Sequence, residues 1–491
     1  MSLRICYNQN GYLREKRGDL IQMDICAVVM AAGNGTRMKS AHSKVVHQVA
    51  GKPIVQWVAD ALCEAGCNEQ VYIVGDKQEE IRDVLGESVA YVFQEQRLGT
   101  GHAVMQAAPF LEGRDGYVIV LPGDSPMVSA ETICKALNKM ENGDYAAVVI
   151  TAKADDPFGY GRLVRDGDGN VLKIVEHKDA SEEELKICEI NSSMYVFKTS
   201  LLLSALGRLS AQNAQKEYYL TDTIGILIGD GYTVGSVVCD FEDTLGVNDR
   251  MQLMQACKIM NRRILTKHMK NGVQILDENS TWIHYAVEIG RDTVILPGTT
   301  IIGNTVIGEE CIIGENSRLD GVQVGDGTVI DYSVATSCII GSDCRIGPFS
   351  HIRPDTRIND HVTIGAYVEV KNSTIDDYTR ARHLTYIGDS TVGKNVNFGC
   401  GTVTCNFDGQ DKMGCVIEDN VFIGGNSNIL SSVVLGKDSY IAAGSTITSD
   451  VPALGLGIGR SKQINKEDWV AKKNRLRGAN YIKLDSKRSE V

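Results

Sequence analysis

Aliphatic residues in the second half of the chain recur at every sixth position. Ile289, Ile295, Ile301, Ile307, Ile313 and Leu319 form one run; Ile340, Ile346, Ile352, Ile358, Ile364 and Val370 a second; Ile423, Ile429, Leu435, Ile441 and Ile447 a third. Period six suits neither an α-helix nor a long alternating strand. It suits a coil of short parallel strands, each sending one aliphatic side chain inward onto the rung below: a β-helix. Gly290, Gly308, Gly314, Gly365 and Gly424 stand beside these positions, as expected where turns need positive φ or close backbone approach.

The first half reads differently. Ala27-Val28-Val29-Met30, Val71-Tyr72-Ile73-Val74 and Val118-Ile119-Val120-Leu121 are short apolar runs bounded by Gly or Asp, with helical-looking stretches such as Ile54 to Ala65 between them. The alternation predicts an α/β domain with a mostly parallel sheet, whose ligands bind beyond the carboxyl ends of the strands. The first strand runs into Ala31-Ala32-Gly33-Asn34-Gly35-Thr36-Arg37-Met38. A glycine-rich turn entering a helix offers N–H groups to phosphate, Arg37 adds positive charge, and Lys44 follows within reach. The third glycine of a dinucleotide fingerprint and the Lys-Ser/Thr of a P-loop are both missing. Gly-x-Gly alone is therefore equally an ordinary turn, and Lys44 alone is more often a solvated surface residue. Asp124, ending another strand in Leu121-Pro122-Gly123-Asp124, suits Mg²⁺ beside a triphosphate, or else an Asx-type turn.

Between Asn248 and His268, Met251, Met254, Ile259 and Leu265 recur at helical spacing, and Asn271-Gly272 supplies a stop. This predicts a helix bridging the two halves, its methionines on a buried face. Inward positions of the coil want aliphatics, so Arg353, Lys371, His383, Tyr386, Asn397 and Lys412 point outward or toward another subunit. Cys405 to Gly414 breaks the register. After Val451-Pro452 the repeats end, and Trp469 with a basic tail (Lys472, Lys473, Arg475, Arg477, Lys483) forms an arm.

The chain has 491 residues, a net charge of -12 and 14 cysteines. Its length implies roughly three domains at ~150 residues each. No run of about 18 apolar residues predicts a transmembrane segment, and the N-terminal extension lacks the apolar core of a secretory signal. The acidic balance argues against a nucleic-acid binder while leaving room for anionic small substrates at local cations. Cysteines without disulfide or paired zinc spacing predict reduced thiols in the cytoplasm.

Several segments occur in a telling order. In the first half these are the turn from Ala31 to Met38, Gln94 with Leu98-Gly99-Thr100-Gly101-His102-Ala103, Gly123-Asp124, Phe158-Gly159-Tyr160-Gly161-Arg162, Glu176-His177-Lys178-Asp179, Glu189-Ile190-Asn191-Ser192 and Gly246-Val247-Asn248. In the second they are Ile352-Arg353-Pro354, Val368-Glu369-Val370-Lys371, the segment Arg382-His383-Leu384-Thr385-Tyr386, that from Gly401 to Gly409, and Arg460. Together they resemble the bacterial bifunctional N-acetylglucosamine-1-phosphate uridyltransferases/glucosamine-1-phosphate acetyltransferases. The resemblance implies an α/β, Rossmann-like nucleotidyltransferase domain followed by a left-handed parallel β-helix of hexapeptide repeats. The expected divisions are an extension over 1–23, the pyrophosphorylase domain over 24–247, a linker helix over 248–272, the β-helix over 273–452 and an arm over 453–491.

Carried over by residue, the resemblance implies uracil and ribose near Met30, Ala31, Gly33, Gln94, Gly99 and Thr100, phosphates on Arg37 and Lys44, Mg²⁺ on Asp124 and Asn248, and the amino sugar on Gly161, Glu176 and Asn191. In the second half it implies His383 as base, Arg353, Lys371, Tyr386 and Asn397 on the acetyl acceptor, and Cys400, Asn406, Phe407, Gly425, Ala443 and Arg460 around acetyl-CoA. The substrates implied are UTP, glucosamine-1-phosphate, N-acetylglucosamine-1-phosphate and acetyl-CoA; the assembly implied is a homotrimer serving cell-wall synthesis. Arg97 stands where the family often has glutamine, Ser43 for a proline, Pro122 for a tyrosine, Phe407 for a tyrosine and Gly425 for a serine. A single-activity nucleotidyltransferase with a structural or regulatory β-helix is the alternative, and the Arg382 to Tyr386 segment favours two activities.

Overall fold

The computed structural model describes residues 24–476 and, by backbone alone, three strands before them, Cys6–Asn8, Gly11–Lys16 and Asp19–Gln22. These three pair antiparallel within the expected extension. The end of the expected basic tail, including Arg477 and Lys483, lies outside the described residues. The chain divides into two compact units, one running through Val306 and taking Arg318–Gly321, the other formed by Ile307–Ser317 and the chain from Val322 on.

The first unit is built on a nine-stranded sheet. Asp24–Met30 lies at its middle, parallel to Gly116–Pro122 on one side and to Glu69–Val74 on the other, with Ala90–Phe93 at the edge beyond. Past their first residues the central strands are almost wholly apolar and buried because both faces are covered. Ala27, Val29, Tyr72 and Leu121 enter one buried cluster, and Cys26, Val28, Val71 and Val120 the other. Helix Ile54–Glu64 packs in the first cluster through Ile54, Val55, Val58 and Leu62. The sheet turns antiparallel at Glu189–Lys198, which pairs with both Gly116–Pro122 and Ala147–Lys153. A bulge interrupts that second ladder between Ile150 and Thr151, and Ser193 opposite takes φ 61°. Bulges re-aim side chains at functional sites; this one presents Asn191, Ser192 and Ser193 to the cavity described below.

The helix Arg250–Lys270 starts at Asp249, whose side chain accepts from the Met251 and Gln252 N–H groups, and stops at Asn271. Its buried face is Ala256, Met260, Asn261, Ile264, Leu265 and His268. The methionine expectation is corrected here: Met251 and Met254 are 73% and 47% exposed. Asn261 is buried instead because its amide closes two backbone bonds, to the Thr281 carbonyl and from the Ile283 N–H.

The second unit is a left-handed β-helix. Strands of two to four residues stack in parallel ladders, as in Arg345–Ile346 on Thr363–Ala366 and Arg357–Ile358 on Thr374–Ile375. The six-residue aliphatics are its core: Ile340, Ile346, Ile352, Ile358, Ile364 and Val370 are at most 2% exposed. The glycines serve one of the two purposes expected. A Cβ on Gly308, Gly314, Gly365 or Gly424 would lie 2.1–2.5 Å from the next rung, so they permit close approach. None of these four has positive φ; the left-handed corners are taken by other residues, among them Asp343, Asp355, His361, Tyr367, Tyr378 and Leu384. The coil also continues past the expected end, since Leu456–Gly457 pairs with Tyr440–Ile441. The arm closes on a helix, Trp469–Leu476.

An Ile358→Ala substitution leaves a void between Ile340 and Ile375, the residues it stacks on. Loss of a buried isoleucine side chain costs about 2–5 kcal/mol, so the urea midpoint of the β signal should fall markedly. An unshifted midpoint would contradict a stacked aliphatic core.

Candidate active sites

In the first unit, the loops leaving the carboxyl ends of the central strands surround a cavity of about 830 Å³. Met30, Ala31, Gly33, Arg37, Lys44, Gln94, Gly99, Thr100, Asp124, Asn191 and Asn248 all line it. Gly161 and Glu176 stand just behind: a Cβ on Gly161 would lie 3.5 Å from both the Asn191 Cβ and Glu176 Oε2. The residues are separated by up to 218 positions in sequence (30 to 248) and meet because the strand ends share one edge.

One local expectation is corrected. The glycine-rich turn does not enter an α-helix but closes on a three-residue 3-10 turn, Thr36–Met38, flanked by left-handed Gly35 and Lys39. No helix N-terminus therefore faces the cavity at this turn. Positive charge comes from side chains instead. Gly35 lets the turn fold onto Lys44, whose Cβ would lie 2.7 Å from a Cβ at position 35.

Lys44 is buried, not solvated. Its ammonium donates to the Asp124 carboxylate and, at 2.9 Å, to Asn248 Oδ1. A backbone bond from Val247 N–H to the Asp124 carbonyl, 2.8 Å, ties the two loops together, and Gln252 Oε1 accepts from Asn248 N–H. Two hard oxygen donors thus converge on one cation-sized position. That donor set fits Mg²⁺, which uses one or two protein oxygens and fills its octahedron with phosphate and water.

Glu176 sits half-buried with Thr221 Oγ1 donating to it at 3.1 Å. Burial pushes its carboxyl above the ordinary 4.5, the Thr221 bond opposes this, and Asp179, Asp222 and Glu217 add to the rise. A carboxyl poised in this way is a hydrogen-bonding group for an uncharged polyol face. Asn191 is oriented by donating from Nδ2 to Tyr195 Oη at 2.8 Å.

The second unit has a cavity of about 640 Å³ lined by Arg353, Lys371, Lys412, Asp355, Asn372 and Asp389. Lys371 pushes the neighbouring Lys412 below its usual range, while Arg353 donates to Glu369 Oε1 at 2.7 Å. Asp389, which the sequence reading assigned no role, anchors the group. Burial works to raise its carboxyl, but bonds from Asn372 and Asn406 and the charge of Lys371 hold it low. Asn406 also donates to Tyr386 Oη at 3.2 Å, so Tyr386 joins the cluster at one remove. His383 and Asn397 do not line this cavity; His383 is exposed at a corner one rung above Ala366. Cys400, Gly425 and Ala443 follow one another on successive rungs: a Cβ on Gly425 would lie 3.0 Å from the Cys400 carbonyl, and the Gly444 N–H donates to the Gly425 carbonyl. Arg460 lies beside Gly444. Phe407 is exposed on the loop that interrupts the repeats, bridged antiparallel to Lys412.

A MobA-like NTP transferase domain matches residues 27–217, and bacterial transferase hexapeptide repeats match 286–321, 337–372 and 414–449. The chain is 51% identical over 454 residues to the bifunctional protein GlmU of Acetivibrio thermocellus, covering 92% of this chain and 98% of that one. It is 52% identical to the GlmU of Geobacillus sp. (strain WCH70), covering 90% and 97%, and 50% identical to that of Caldanaerobacter subterraneus subsp. tengcongensis, covering 92% and 100%. The chain belongs to the bifunctional GlmU family. As a GlmU-family enzyme it carries uridyltransferase and acetyltransferase activities of UDP-N-acetylglucosamine synthesis. No helix among the described residues is long and apolar enough to cross a membrane.

The raised Glu176 carboxyl makes a signed prediction. The folded state holds its proton more tightly than the unfolded chain, so Glu176 erodes stability as pH climbs from the ordinary 4.5 through the raised value. Measured against Glu176→Gln by thermal unfolding, the wild type should lose relative stability across that rise. A difference independent of pH would refute the assignment.

Proposed function

We propose that the two cavities are the two active sites of this bifunctional enzyme, with the roles that follow. At the first, N-acetylglucosamine-1-phosphate attacks the α-phosphorus of UTP in line and pyrophosphate leaves. Phosphoryl transfer of this kind asks the protein for alignment and charge neutralisation more than covalent chemistry. Arg37 and Lys44 take the phosphates, Gln94, Gly99 and Thr100 the nucleoside, and Asn191 with Glu176 the amino sugar. Asp124 and Asn248 would hold Mg²⁺, which when bound neutralises charge spread over the phosphate oxygens. Lys44 lies on those same two oxygens here, so it has to change partners as the phosphates arrive.

At the second site, Arg353, Lys371 and Lys412 bind the phosphate of glucosamine-1-phosphate. His383 takes a proton from the amine as its nitrogen attacks the thioester carbon, and CoA leaves as the thiol. Acetyl-CoA lies along Cys400, Gly425, Ala443 and Arg460, with Asn406 and Phe407 of the interrupting loop beside it. The observation that carries this reading is that each unit holds a separate cavity lined by its own cation cluster.

A trimer completes the second site. Support comes from a corner where Tyr332, Phe349, Tyr367 and Leu384 succeed one another exposed, with ring centroids 5.7 and 5.4 Å apart. A continuous exposed apolar strip marks an interaction surface, and this one ends beside His383, the proposed base, which is exposed and lies outside the lining of the second cavity. Cytoplasmic residence is supported by the free cysteines among the described residues.

Two outcomes are expected. Asp124→Ala should abolish UMP transfer while sparing acetylation, and His383→Ala should slow acetylation by about 10²–10⁴-fold while sparing UMP transfer, as read by pyrophosphate and CoA release. Loss of both activities in either folded variant would contradict two separate sites. Sedimentation should show three chains per particle, and Phe349→Asp with Tyr367→Asp should dissociate it and reduce acetylation alone; an active monomer would remove the trimer proposal.

A further inference from the structure

The cavity of the first unit runs along the sheet edge in strand order. Its middle, beyond Asp24–Met30 and Gly116–Pro122, carries Arg37 and Asp124. On one side Glu189–Lys198 supplies Asn191; on the other, the loop after Ala90–Phe93 supplies Gln94 and Arg97. With phosphates at the middle and the amino sugar toward Asn191, the nucleotide base falls on the Arg97 side.

Arg97 is clasped there from two neighbouring strand ends. Its Nε donates to the Ala32 carbonyl at 2.8 Å and its Nη2 to Asp76 Oδ2 at 2.9 Å. Gly75 makes the clasp possible, since a Cβ at that position would lie 2.7 Å from Nη2 and 3.1 Å from the Ala32 carbonyl oxygen. The guanidinium is thus held at two points, although Arg97 is itself an exposed residue. Among the described residues no acceptor takes its Nη1, and the side chain lines the cavity.

We propose that Arg97 is a specificity-determining residue that reads the base: Nη1 donates to the O4 carbonyl of uracil. This deepens, and rests on, the nucleotidyl-transfer reading of this cavity. A 4-oxo pyrimidine meets the arginine with an acceptor. Cytosine presents a 4-amino donor to a donor, so the hydrogen bond is lost and two donors face each other. A charged donor strengthens the discrimination. Asp76 and the Ala32 carbonyl act through Arg97, as positioning groups.

The test uses the full chain with N-acetylglucosamine-1-phosphate and either UTP or CTP, read by pyrophosphate release. In Arg97→Met the ratio of kcat/KM for UTP over CTP should fall by about tenfold or more, mainly through a higher KM for UTP, with CTP unchanged or improved. Arg97→Lys keeps a charge but not the clasped plane and should fall between. Asp76→Asn should shift the ratio in the same direction by less. An unshifted thermal unfolding profile of the full chain reports that each variant is folded. Equal losses with UTP and CTP, or an unchanged ratio, would overturn the proposal and leave Arg97 as a loop brace. A wild-type chain without UTP turnover would instead remove the nucleotidyl-transfer reading beneath it.

Discussion

The backbone hydrogen bond between neighbouring parallel strands governs both units. A strand in a parallel stack must find partners above and below, and it can do so only if its side chains allow the next rung to approach. In the β-helix this demand produces the six-residue period: one aliphatic per edge faces inward, and positions such as Gly365 stay bare where the Arg382 backbone presses against them. In the α/β unit it produces strands almost wholly apolar past their first residues, because both faces are covered. Polar chemistry is therefore expelled from the strands in each case. It collects at strand ends in one unit and on outward positions in the other.

That expulsion explains why the two cavities differ. The first is walled by loops leaving adjacent strands, so residues from Met30 to Asn248 converge on it and long side chains such as Arg37, Lys44 and Arg97 aim inward. It is deep enough for Lys44 to be buried, which is affordable only because Asp124 and Asn248 meet its charge. The second lies on a surface of nearly regular geometry. It gains relief only where the repeat is interrupted near Lys412, and its cations are spaced by the rungs that carry them.

Several side-chain contacts hold the first site together. Gln252 orients Asn248, Tyr195 orients Asn191, Thr221 holds Glu176, and Asp76 holds Arg97. Such contacts place donors before a ligand arrives, and preorganisation of donors is where transfer enzymes find most of their advantage.

The sequence by itself determined the β-helix, since a six-residue period has a single geometric meaning, and it determined the α/β class through short apolar runs that end in Gly or Asp. Arg37, Lys44, Asp124, Arg353 and Lys371 stood out only through the ordered set of segments, since each by itself reads equally as a turn or a surface charge; all five line one of the two cavities. Tertiary structure alone decided the rest. That Lys44 rests on Asp124 and Asn248, that Asp389 organises the second cation cluster, and that Met251 and Met254 face outward all depend on partners remote in sequence. The 3-10 turn after Gly35 replaced an expected helix because closure onto Lys44 outweighs local propensity. The role of Arg97 likewise arises from a carbonyl, a carboxylate and a bare glycine brought together by strand order, which no spacing along the chain encodes.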